Sequence, residues 1–115
     1  MADVAAIEAR IWKILDAYQE RLEASTIYGI PSLKWPGARE HDYFVALKAG
    51  KSYVSVYLLV ADTYPDALDG ASPALLKRRT GKAAFTFPAL GDELATELEA
   101  LIARLFDRYA AAQNP

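Results

Sequence analysis

The apolar residues of this 115-residue chain change their spacing twice, and that switch limits what it can fold into. From Asp3 to Glu23 the positions Val4, Ile7, Ile11, Ile14, Leu15, Tyr18 and Leu22 recur at steps of three and four, which is one stripe along a helix. From Asp92 onward Leu94, Leu98, Leu101, Ile102, Leu105, Phe106 and Tyr109 do the same. Between them the period falls to two, most plainly at Val54, Val56, Leu58 and Val60. Two one-sided helices and a one-sided sheet must bury their apolar surfaces against each other. The expected fold is therefore α+β and two-layered, with N- and C-terminal helices on one face of an antiparallel sheet of about four to five strands.

Local signals divide the middle of the chain. Asp3 suits the cap of the first helix, which the spacing carries to Glu23, and Ser25-Thr26 marks the exit into extended chain. Tyr28-Gly29-Ile30-Pro31 cannot continue a helix, because proline lacks an N–H and forces Ile30 to be extended. A short edge strand from Ser32 to Trp35 follows, ended by Pro36-Gly37. Asp42 to Lys48 and Lys51 to Val60 read as a hairpin closed near Ala49-Gly50. A two-residue loop sets Val45 opposite Val54 and Tyr43 opposite Val56. Tyr43, Val45, Val54, Val56, Leu58 and Val60 then share the covered face, and Phe44, Ala46, Tyr53, Ser55 and Tyr57 the other. Residues 62–70 read as a loop, Ser72-Pro73 as the start of a short helix through Lys77, and Ala83 to Phe87 as a last strand. The whole, 1–115, reads as one domain with 110–115 as a frayed tail.

Composition narrows the function classes. A hydrophobic share of 53% with 24% charged residues is that of a globular protein. The absence of cysteine removes disulfides, thiolate metal sites and a cysteine nucleophile. Met1-Ala2-Asp3-Val4 carries no basic n-region, and no apolar run reaches membrane-spanning length, so a cytoplasmic location without membrane attachment is expected. The net charge of −2 argues against nucleic acid as a partner. Residues 26–87 are nevertheless basic, with eight bases against five acids.

No catalytic constellation stands out, so a non-enzymatic binding role is expected. His41, the single histidine, has only Glu40 and Asp42 beside it and reads as an exposed strand-entry residue. The serines lack a nucleophile elbow. Thr80-Gly81-Lys82 echoes the end of a phosphate loop, but Leu76 stands where the first glycine belongs and Ala83 where Ser or Thr is needed. Lys77, Arg78, Arg79 and Lys82 remain as a loose anion site beside that glycine. On the first helix Asp16, Glu20 and Glu23 fall on one side, a set of hard oxygen ligands suited to weak binding of iron. Phe44, Tyr53 and Tyr57, with Tyr28 and Trp35 at the margin, form an aromatic patch on the second sheet face, unless the loop 61–72 folds over it.

Tyr28-Gly29-Ile30-Pro31 followed by a hairpin ending in Tyr53-Val54-Ser55-Val56-Tyr57 resembles the YdhG-like family of small bacterial domains. Thr80-Gly81-Lys82-Ala83-Ala84-Phe85-Thr86-Phe87, leading into a helix, is similar to its second recurring block, and the resemblance spans roughly residues 4–109. It implies a two-layer fold and a kinship to frataxin-like iron chaperones, whose iron-binding acids lie on the first helix and the adjoining edge strand. Only Asp16, Glu20 and Glu23 can be carried over, since the edge strand offers Lys34 in place of an acid.

Two readings follow. One is weak iron binding or delivery through the three acids. The other is an interaction module for an anionic small molecule or an acidic protein partner, using the basic loop 77–82 and the aromatic face. A homodimer joined through that face is a further expectation.

Overall fold

The computed structural model describes residues 3–113 and has the expected two layers. Asp3 caps the first helix, α1 (Val4–Leu15), its Oδ1 accepting from the Ala6 amide at 3.1 Å. α1 is shorter than its stripe suggests. The chain tightens into a 3-10 turn at Asp16–Tyr18 and then extends as strand β1 (Glu23–Ile27). Tyr18 and Leu22 still pack against the core, so the apolar spacing continues after the helix has ended.

Tyr28 and Gly29 both take positive φ, 52° and 79°, which makes a tight hairpin turn matched to strand twist. That turn pairs β1 with β2 (Ile30–Lys34), from Ile27 opposite Ile30 to Glu23 opposite Lys34. The strand expected at Ser32 to Trp35 is therefore interior, and β1 forms the edge. Strands β3 (Tyr43–Ala49), β4 (Val54–Tyr57) and β5 (Ala84–Phe87) complete an antiparallel sheet in the order β1-β2-β3-β4-β5.

The β3–β4 register differs from the two-residue-loop expectation. The loop holds four residues, closed by the Gly50 amide donating to the Tyr53 carbonyl at 2.8 Å, and Ala49 faces Val54. A shift of four along β3 leaves the faces unchanged, so Val45 and Leu47 share the covered side with Val54 and Val56. A bulge changes the rest. Leu33 faces Val45 but Lys34 faces Tyr43, so β3 carries one extra residue at Phe44. Phe44 and Val45 both turn inward, and Tyr43 turns out. This reverses the expected positions of Tyr43 and Phe44.

β4 ends at Tyr57 instead of Val60, because the chain turns into α2 (Leu59–Thr63). A 3-10 turn at Pro65–Leu68 follows, then α3 (Pro73–Leu76), capped by Ser72 at the Leu75 amide. The last helix, α4 (Asp92–Gln113), stays helical through most of the tail expected to fray, and residues 114–115 lie outside the described range.

Ile11 and Leu15 of α1 and Leu98, Leu101, Ile102 and Leu105 of α4 pack on Val45, Leu47, Val54, Val56, Phe85 and Phe87. The segment from α2 to α3 lies on this same side. Ala67 and Leu68 join the core, Arg104 donates to the Ala67 carbonyl at 3.2 Å, and Arg108 pairs with Asp66. It does not fold over the opposite sheet face. Among the described residues, no helix is long and apolar enough to cross a membrane.

Candidate functional site

The sheet face away from the helices is shaped by its side chains in rows. Residues directly opposite in an antiparallel sheet point the same way, so Ser25, Ser32, Ala46, Tyr57 and Ala84 form one row across five strands. Four of those five side chains are small. Bulkier residues flank the row, with Ile27 and Ile30 toward the β1–β2 turn and Lys34 and Tyr43 on the other side. Small residues between large ones leave a depression. Over Ala46 and Tyr57 of that row lies a trough of about 240 Å³, also lined by Ile27, Tyr28, Ile30, Tyr43 and Lys48.

Pro31 helps to open it. Pairing between β2 and β3 begins only at Ser32 and Ala46, one residue past the proline, which has no N–H to offer the ladder. Tyr28 stands at the mouth, 85% exposed, its ring meeting the His41 ring edge-on at 5.7 Å between centroids. Tyr43 is half-buried in the wall. Burial first, then the neighbouring Tyr28 and Tyr57 phenols, push its pKa above the ordinary tyrosine range. Tyr43 therefore stays a neutral phenol that can donate a hydrogen bond, and is no base at neutral pH.

Two polar features complete the face. Ser32 is only 2% exposed, and its Oγ has no hydrogen-bond partner, an unusual state for a buried hydroxyl. Lys48 is exposed, lines the trough and makes no ion pair among the described residues. Lys34, by contrast, is occupied. Its ammonium donates to Glu23 and to the Ala38 carbonyl, both at 2.7 Å. The Lys34 hydrogen bond first, then its charge, then the Gly37 amide, hold the Glu23 carboxyl below its usual range.

The structure separates the residues singled out from sequence. Tyr28 and Tyr57 line the trough. Phe44 is fully buried on the helix side, packed on Tyr18, Phe106 and Tyr109, because of the bulge. Trp35 lies past the end of β2, its amide donating to the Tyr109 hydroxyl at 2.8 Å, outside the trough lining. Tyr53 sits in the β3–β4 loop and is exposed. Lys77, Arg78, Arg79 and Lys82 belong to a connector along the outer side of β5. There the Thr86 amide donates to the Arg78 carbonyl at 2.7 Å, and Arg79 donates to the Lys82 carbonyl at 2.7 Å. None of the four lines the trough.

The proposed iron ligands do not converge. Asp16 is in the 3-10 turn, Glu20 in the following turn, and Glu23 on β1 bound to Lys34. The helix that was to align them ends at Leu15. Among the described residues, no three carboxylate, histidine or cysteine side chains group in a way that could hold a metal ion.

Sequence reading passed over Ile27, Ile30, Tyr43, Ser32 and Lys48. Gly29 was the signal available for the first two, since a glycine between two short apolar runs marks a hairpin turn. Comparison with protein-family models, with curated proteins and with solved structures returns no match.

Proposed function

We propose that this protein is a binding module whose ligand, a small and largely apolar planar molecule, lies on the open sheet face. The observation that carries the reading is the trough itself. It is mostly apolar, with three phenols around it, and the segment from α2 to α3 packs on the other side of the sheet. Concave, mostly apolar sites with a few polar groups are the usual form of small-molecule sites. Tyr28, Tyr43 and Tyr57 offer ring faces for stacking and hydroxyls for orientation. The neutral Tyr43 phenol suits hydrogen-bond donation to a ligand and gives no support to general-base chemistry.

The two sequence blocks that resemble the YdhG-like family border this face. Tyr28-Gly29-Ile30-Pro31 forms its mouth, and Thr80 to Phe87 contains β5, whose Ala84 ends the small-residue row. Kinship to that family and a cytoplasmic location both fit this reading and form part of the proposal. Iron delivery draws no support from the dispersed carboxylates.

Nuclear magnetic resonance with 2-naphthol as the probe tests the site. The expected result is saturable shifts at the Ile27, Ile30 and Ala46 methyl groups and the Tyr43 and Tyr57 amides. Saturable shifts confined to residues 77–82, or no saturable shifts at all, would overturn the reading.

A further inference from the structure

The fold sorts charge between its two layers. The segments that build the sheet and its outer connector, 23–57 and 77–87, hold eight of the thirteen Lys and Arg residues and three of the fifteen Asp and Glu residues. Their net charge is +5, against −7 for the rest of the chain, most of which packs on the helix side. The overall −2 hides this division. Of the three acids in the sheet segments, Glu23 is held by Lys34 at 2.7 Å and Asp42 accepts from Gln113 of α4 at 2.9 Å. Of the eight bases only Lys34 makes an ion pair among the described residues, so the positive field is left for a partner to answer.

That charge borders the open face. Lys48 faces Ser55 and Ser55 faces Thr86, a row beside Ala46, Tyr57 and Ala84 and on the same side of the sheet. The Thr80 and Thr86 hydroxyls meet at 2.9 Å, which sets Thr80 of the connector on that side too. Flat rings accompany the charge. Tyr28 and Tyr53 are 85% and 46% exposed, Tyr43 and Tyr57 line the trough, and no carboxylate stands among its described lining residues.

An anionic polymer that also presents planar rings matches both features. An acidic peptide answers the cations and leaves the rings unused. Single-stranded nucleic acid answers both, because its phosphates meet the cations and its unpaired bases are free to stack on aromatic side chains. Sheets that present aromatic side chains are a recurrent surface for such strands. A duplex keeps its bases paired and lays none of them in a trough.

Resting on the reading of the trough as a site for a planar molecule, we infer that the planar group is a base of single-stranded nucleic acid. The base lies in the trough against Tyr57, and the phosphates beside it run past Lys48 toward the connector. The trough is the seat of the ring, and the connector adds attraction for the backbone.

Fluorescence anisotropy tests this with a labelled thymidylate decamer, an abasic deoxyribose-phosphate decamer of equal charge, the thymidylate decamer annealed to its complement, and a polyglutamate peptide. Resonance shifts with 2-naphthol are followed in parallel. The thymidylate decamer is expected to bind about ten-fold tighter than the abasic strand, the scale of one stacked base. Tyr57→Leu is expected to remove that margin and leave abasic binding unchanged. Lys48→Gln is expected to weaken both strands and to lower the slope of log affinity against log salt by about 0.7, the share of one phosphate contact. Equal affinity for the thymidylate and abasic strands, or a margin that survives Tyr57→Leu, overturns the base assignment. Polyglutamate bound as tightly as the thymidylate decamer would put an acidic protein in its place, and a duplex bound as tightly would end the single-strand assignment. No strand binding while 2-naphthol still shifts the trough resonances overturns the inference and leaves the site standing. Trough resonances unmoved by 2-naphthol and by the decamer overturn both.

Discussion

Replacing Phe44 by alanine separates a core role from a ligand role. The ring has no exposed surface and lies 5.3 Å from the Tyr109 ring centroid, 5.4 Å from that of Phe106 and 6.1 Å from that of Tyr18. Removing it loses the transfer energy of a full aromatic ring and leaves a cavity between the sheet and α4. A loss of about 3–5 kcal/mol is expected. That is a large part of the roughly 5–15 kcal/mol that holds a domain together. Tyr57 is partly exposed on the open face, and Tyr57→Ala should cost about 1 kcal/mol or less. Urea unfolding followed by circular dichroism measures both. The Phe44→Ala midpoint should fall by about 2 M, given slopes of about 1–3 kcal/mol per molar for small domains. A loss under about 1 kcal/mol for Phe44→Ala, with probe binding abolished, would place Phe44 on the open face and refute the bulge.

Other outcomes follow from single contacts. Tyr109→Phe should cost about 1–3 kcal/mol, because it strands the Trp35 amide and the Asp42 carbonyl that the hydroxyl joins at 2.8 and 2.7 Å; chemical denaturation checks this. Gly29→Ala should cost about 1–2 kcal/mol, since a φ of 79° is strained for a residue with a Cβ even where the space is open. An unchanged melting temperature would remove Gly29 from the turn. Folding lowers the Glu23 pKa from its ordinary 4.5, so that carboxyl stabilises the fold above the ordinary value and loses the contribution as pH falls through the lowered one. Wild type should therefore lose more melting temperature on acidification than Glu23→Gln, and parallel curves would show that the Lys34 pair is not formed.

The layers and the apolar faces were legible in the sequence, because periodicity reports which side of an element is buried. Val54, Val56, Phe85 and Phe87 were placed by alternation alone, and the shift of the β3–β4 loop did not matter because it was even. The end of α1 was not legible. Tyr18 and Leu22 keep the helical spacing while packing from a 3-10 turn and the chain beyond it, so the stripe ran past the helix and hid β1. The three acids were aligned on that missing stretch. The bulge at Phe44 was equally hidden, since one inserted residue leaves no mark on composition yet reverses two side chains.

The site was legible only in part, for a related reason. Tyr28 and Tyr57 declared themselves as aromatic residues on a sheet. The trough is made by residues distant in sequence, Ile27 and Ile30 beside Tyr43, Ala46 and Tyr57, that meet only when four strands align. Lys48 looked like one more surface lysine until register set it on the trough side of β3.

The central claim is that the open sheet face, and not the helices or the basic connector, holds the ligand. Ala46→Phe tests it most directly, because the new ring would fill the trough from its floor and touch nothing in the helix-side core. Calorimetric titration with 2-naphthol, paired with a melting curve, is the measurement. The account expects binding to vanish while the variant still melts in one cooperative transition. Undiminished affinity in a folded Ala46→Phe protein would contradict it.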